Sequence, residues 1–140
     1  MEGSTAAAAA KDLKNDAEQA KVDRLKKLLE RLLHEAAEAE VQLSRAEGAI
    51  RGVPHYSVIE GRAHELGMQL SRSVQQEQML ELTALQAPVA ACPTCKTRCE
   101  LTPHKRKVKS VDGDTELQEL VGHCLCCRRD FFPAARSFGV

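Results

Sequence analysis

The chain has 140 residues, 20 Lys+Arg against 20 Asp+Glu, one Tyr, three Phe and no Trp. That length suits one domain, or a small domain beside an extended element. The scarcity of rings excludes a large aromatic core and the stacking platforms of single-strand nucleic-acid binders. The balanced charge is unevenly placed, with 11 cations and 14 anions in residues 1–90 but 9 cations and 6 anions in residues 91–140.

The N-terminus, Met-Glu-Gly-Ser-Thr followed by five alanines, lacks the basic start and long apolar run of a signal peptide. No stretch is apolar enough over about 20 residues to span a bilayer. The expected location is the cytoplasm, where thiols stay reduced, and no membrane partner is expected.

Asn15 and Glu18 have the spacing of a capping box, which predicts a helix start there and a frayed or disordered segment over residues 1–14. Val22, Leu25, Leu29, Leu32, Ala36, Ala39, Leu43, Ala46 and Ile50 follow in alternating steps of three and four. A heptad seam sustained this long predicts a coiled coil or a long helical hairpin. Leu28, Leu33 and Ala37 widen the stripe. Gly48, Gly52 and Pro54 end the first helix. Ser57 and Glu60 form a second capping box, so a second helix is predicted from Ser57. Ile59, Ala63, Leu66, Leu70 and Val74 share one of its faces. A mid-helix Gly67 predicts a close packing contact. Pro88 marks the linker beyond it. Residues 15–87 are therefore read as one helical region, an antiparallel hairpin or coiled coil.

After Ala91 the character changes. Within Lys96–Lys109 six cations (Lys96, Arg98, Lys105, Arg106, Lys107, Lys109) face one anion, Glu100. Such a patch is the footprint of a nucleic-acid contact or, equally, a solvated hairpin face. Asp112-Gly113 between two alternating runs predicts a type I′ hairpin turn. Centred there, it places Val108 opposite Leu117, Lys109 opposite Glu116 and Arg106 opposite Glu119.

All six cysteines lie between Cys92 and Cys127. Cys92–Cys95 and Cys124–Cys127 are both C-x2-C steps, each able to present two thiolates to one metal. The 28 residues between them are accounted for by a hairpin that returns the second step to the first. Four thiolates would hold one structural Zn2+ with no open position for substrate. The expected ligands are Cys92, Cys95, Cys124 and Cys127. Cys99 and Cys126 are spare, each a candidate to replace one of the four. His104 and His123 are further donors by type. His34, His55 and His64 show no partner spacing. A redox dithiol would need a helix N-terminus in a βαβ setting, and a disulfide framework an oxidising compartment. The predicted fold is α+β: the helical region, then a small zinc ribbon over residues 91–135, then a tail over 136–140.

The pieces "PHYSVIE", "AHELG", "LSR", "CPTC", "VDGDTELQE" and "CRRDFFP", in that order across roughly residues 50–135, resemble the N-terminal region of bacterial insertion-sequence transposases of the Kra class. The resemblance implies a helical part and a DNA-contacting zinc ribbon placed before an RNase H-like catalytic domain. That catalytic domain has no counterpart before Val140, so the expectation is a truncated, non-catalytic protein without a small-molecule substrate. The residues expected at double-stranded DNA are Lys105, Arg106, Lys107, Lys109, Arg128 and Arg129. A homodimer through the first helix is a second expected partner. The alternative is a zinc-ribbon and coiled-coil adaptor that binds protein. An independent enzyme is disfavoured, because no phosphate loop, nucleophile elbow or paired-carboxylate setting is present.

Overall fold

The computed structural model describes residues 4–133. The predicted tail over 136–140 lies outside the described residues. The chain divides into two compact units, 1–59 and 60–140.

The first unit is dominated by α1, Ser4–Ala46. The helix starts well before the predicted capping box and takes in the five alanines, and residues 1–3 of the predicted frayed segment lie outside the described residues. Five alanines carry the highest helix propensity of any residue and need no cap at Asn15 to stay helical. The helix ends as predicted near Gly48, which takes a left-handed φ of 73°. There the chain is tied by Arg45, a last-turn cation, whose Nη1 donates to the Gly52 carbonyl at 2.8 Å. Ser44 is buried and its Oγ donates back to the Glu40 carbonyl at 2.8 Å. The seam leucines Leu25, Leu29 and Leu32 are exposed.

The second helix, α2, spans Tyr56–Leu85. Its cap also differs from expectation. His55, not Ser57, precedes the first turn, and its Nδ1 accepts from the Ser57 amide at 3.2 Å. The His55 ring also lies 2.8 Å from Ser57 Oγ. A Cβ built on Gly67 meets nothing within 4 Å, so this glycine does not mark a close contact.

The second unit joins residues 60–85 of α2 to a four-stranded antiparallel sheet in the order β1-β2-β3-β4. The strands are β1 Val89–Ala91, β2 Arg98–Ser110, β3 Gly113–Cys124 and β4 Arg129–Phe131. The long β2–β3 hairpin pairs Arg106 with Leu117, Lys107 with Glu116, Val108 with Thr115 and Ser110 with Gly113. This register corrects the predicted one by two residues on the partner strand, a shift that keeps every side chain on its expected face. The turn residues are Val111 and Asp112, not Asp112 and Gly113. Ser110 explains the difference: its Oγ accepts from the Asp112 amide at 3.2 Å and donates to the Gly113 carbonyl at 2.7 Å. Of the two predicted type I′ positions only Gly113 takes a positive φ, 106°. That pattern suits a turn closed by one left-handed glycine.

Polar side chains of α2 hold the hairpin. Ser71 Oγ donates to Asp112 Oδ2 at 2.5 Å and Arg72 Nη1 to the Asp112 carbonyl at 2.8 Å. Gln76 Nε2 and Thr83 Oγ1 donate to the carbonyls of Glu116 and Gln118 at 3.3 and 3.1 Å. Those carbonyls are two residues apart, hence on one edge of β3. The core lies at the other end of the sheet, where Cys92, Cys99, Cys124 and Phe131 are buried with Ala90, Leu101 and Cys127 against them. No helix among the described residues is long and apolar enough to cross a membrane.

Candidate metal centre

Topology brings the two C-x2-C steps together. Cys92–Cys95 is the connection from β1 to β2, and Cys124–Cys127 connects β3 to β4. Both connections lie at the sheet end opposite the Val111-Asp112 turn. They are built alike. The Lys96 amide donates to the Cys92 carbonyl at 2.9 Å, and the Arg128 amide to the Cys124 carbonyl at 2.7 Å. Lys96 and Arg128, each following the second cysteine of its step, take left-handed φ values of 63° and 53°. This shared backbone reversal turns both cysteines of a step toward one point. It was not legible in the sequence, since neither residue is the glycine or asparagine that usually signals it.

The Sγ atoms of Cys92, Cys95, Cys124 and Cys127 all lie within 4.8 Å of one another and could hold a metal ion. Cys92 and Cys127 are 3.9 Å apart, Cys95 and Cys124 3.5 Å. Cys99 and Cys126 stay outside the group. Cys99 is buried with its Sγ 3.4 Å from the Thr97 carbonyl, and Cys126 is exposed. Neither histidine joins it. His123 Nδ1 is 2.6 Å from Asp130 Oδ1, and the His104 ring lies 6.4 Å from that of Phe132.

Three of these thiols are shifted from their ordinary range, Cys92 and Cys95 downward and Cys127 upward. Backbone amides of Cys95 and Thr94 hold the Cys92 thiol below its ordinary range. The Thr97 hydroxyl, 3.1 Å from Cys95 Sγ, and the Thr97 amide lower Cys95 to about 6. Cys127 is pushed up to about 12, first by its hydrogen bond with Cys95 and then by burial. Crowded thiols oppose one another's ionisation, and a bound cation would favour the thiolate form of all four. The donor set therefore fits a thiophilic metal. Spare Cys99 is raised chiefly by burial.

Models of known protein families, curated proteins and solved structures give no match to this chain.

The residues expected at DNA divide into two places. Arg128 and Arg129 lie at the metal-site end. Lys105, Lys107 and Lys109 are exposed on one face of β2, six to ten residues beyond Cys99, about 20–33 Å along the strand. Asp114 and Glu116 stand opposite Lys109 and Lys107, and Lys105 Nζ is 3.8 Å from Glu116. Arg106 faces the other way. Its Nη2 meets Glu119 Oε1 at 2.7 Å, and its guanidinium lies 4.9 Å from the centroid of the Phe132 ring. Glu119 is buried, so Arg106, itself half-exposed, is engaged with a carboxylate of its own unit. The expected Arg106–Glu119 pair forms, though diagonally. The expected Lys109–Glu116 opposition does not.

Proposed function

We propose that this chain is a structural zinc ribbon that contacts duplex DNA without chemistry of its own, corresponding to the helical and ribbon region of Kra-class transposases. The observation that carries the metal part is the convergence of four thiols from two matched turns. A tetrahedron with Zn–S bonds of about 2.3 Å has edges of about 3.8 Å, and the 3.5 and 3.9 Å separations bracket it. The bound ion would supply folding energy to a unit whose described buried apolar residues are few: Cys92, Cys99, Cys124, Leu120 and Phe131, with Ala90, Leu101 and Cys127 against them. Four sulfurs leave no position for substrate, which supports a non-catalytic role.

DNA contact is supported by Lys107 and Lys109 on the hairpin and by Arg128 and Arg129 at its base, all exposed. A two-stranded ribbon is an element the major groove admits. Four neutralised phosphates give a log–log salt slope on the order of −3 to −4, with little sequence preference. Asp114 and Glu116, opposite two of the lysines, favour the second reading, a protein-binding adaptor.

Metal analysis of the purified chain should give one zinc per chain. Chelation should melt the ribbon while α1 persists. Filter binding to duplex DNA at several salt concentrations tests the rest. Substituting Lys107, Lys109, Arg128 and Arg129 by alanine should weaken binding at least about tenfold, the loss of a few phosphate contacts. Unchanged affinity would favour the adaptor. Magnesium-dependent nicking of supercoiled DNA would contradict the non-catalytic reading.

A further inference from the structure

The metal site and the basic hairpin leave α1 without a role. Its seam is regular: Val22, Leu29, Ala36 and Leu43 occupy one core position of the heptad, and Leu25, Leu32, Ala39 and Ala46 the other. Leu29 is 56% exposed and Leu32 48%, with Leu28 and Leu33 exposed beside them. An apolar stripe of this kind in water calls for a partner.

The charges say which partner and which way round. Residues 21–27 carry Lys21, Arg24, Lys26 and Lys27 against Asp23 alone. Residues 30–40 carry Glu30, Glu35, Glu38 and Glu40 against Arg31 alone. One half of the seam is therefore flanked by cations and the other by anions. The positions bordering a two-stranded seam sharpen the point: they are Lys21 and Lys26 in the first half, Leu28 and Leu33 at the centre, Glu35 and Glu40 in the second half. In a parallel, in-register pair each such residue faces the bordering residue five positions on in its partner. Lys21 would face Lys26 and Glu35 would face Glu40, on both sides of the seam. Parallel pairing thus stacks like charge on like four times over. Reversing one copy, with Val22 level with Ala39 and Leu29 level with Leu32, removes all four like-charge contacts and lays the cationic half level with the acidic half.

We propose that two copies of this chain associate through α1 as an antiparallel coiled coil, the Lys21–Lys27 stretch of each lying beside the Glu30–Glu40 stretch of the other. The alanines at 36 and 39 give the leucines of the reversed partner room for close approach. The occupant is a second copy because one helix carries both complementary halves. This association does not depend on the metal site, so its test is separate from that of the zinc ribbon.

Sedimentation equilibrium of the full, zinc-loaded chain should show a dimer in the micromolar range that weakens with salt. Carbodiimide cross-linking of a mixture of unlabelled and nitrogen-15 chains reads orientation. Lys21 and Glu40 are 19 residues apart, about 28 Å along one helix, beyond the reach of a zero-length link within a chain. Interchain links joining the Lys21 or Lys26 peptide to that of Glu38 or Glu40 are the expected result. Links confined to matching positions would mean a parallel pair and overturn the proposal. Lys21→Glu with Lys26→Glu leaves the seam intact and should weaken self-association about tenfold, the scale of several lost charge pairs. Mixing that variant with Glu35→Lys/Glu40→Lys should restore it. A monomer at 100 times a micromolar working range (about 100 μM), or self-association indifferent to both charge variants, would also overturn it.

Discussion

The Phe131 ring packs over Gly122, its partner across the β3–β4 ladder. A Cβ placed on Gly122 would sit 2.5 Å from Phe131 Cζ, 2.7 Å from Cε1 and 3.0 Å from Leu101 Cδ2. The glycine is required by that ring and not by backbone conformation. It lets three strands close around the buried Phe131 ring.

Gly122→Ala should therefore destabilise the ribbon by about 1–3 kcal/mol, the range for overpacking a small core. Phe131→Leu in the same chain should recover part of the loss. Urea unfolding of the two single variants and the double variant measures this, and strict additivity would contradict the contact.

The cysteines should sort by position. Cys92→Ser and Cys124→Ser should each abolish stoichiometric metal, with the unfolding that loss of a structural ion brings. Cys126→Ser, at an exposed site outside the group, should keep one metal and near-parental stability. Cys99→Ser should keep the metal but lower stability by about 1–3 kcal/mol, because a hydroxyl replaces a buried thiol. Metal analysis with thermal unfolding separates the three classes.

Acidity of the thiols sets a pH optimum for whatever fraction of the metal-free ribbon is folded. The lowered Cys95, at about 6 against an ordinary 9.0, contributes stability that is complete above 9 and lost as pH falls through 6. The raised Cys127, at about 12 against 9.0, contributes stability that is complete below 9 and lost as pH rises toward 12. Folded population in chelator and phosphine, followed by circular dichroism, should peak near pH 9. Iodoacetamide near neutrality should label Cys95 before Cys127, and the reverse order would refute the assignment.

Arg106 should behave as a structural cation. Its removal strands the buried Glu119 carboxylate, whose side chain is 8% exposed, at a cost of about 2–4 kcal/mol. Arg106→Ala combined with Glu119→Gln should be milder than Arg106→Ala alone. The hairpin lysines, by contrast, should change stability by less than about 0.5 kcal/mol when replaced singly.

Much of the architecture was legible because it rests on period and spacing. The stripe from Val22 to Ala46 falls in one helix, and the two C-x2-C steps meet because a hairpin of the available length must return them. What escaped were choices between near-equal local chemistries. Asp112-Gly113 carries a strong turn signature, but Ser110 supplies a hydroxyl that organises the turn one residue earlier. Ser57 and Glu60 have capping spacing, yet the imidazole of His55 reaches the Ser57 amide first. The hydrogen bonds that dock α2 on the hairpin escaped because they run through Ser71, Arg72, Gln76 and Thr83, whose pattern carries no sequence signal of its own.

That polar docking bears on how the sheet avoids growing. β1 and β4 cover only three residues each of the long hairpin's outer edges, and the rest is a template on which a foreign strand could add. Along β3 the donors Gln76 and Thr83 occupy the Glu116 and Gln118 carbonyls that an incoming strand would need. β2 defends itself differently, with Pro103 offering no amide and Lys105, Lys107 and Lys109 opposing a second like-charged ribbon. A ribbon freed of its helix would keep the second safeguard and lose the first, and its β3 edge would be where fibrils begin.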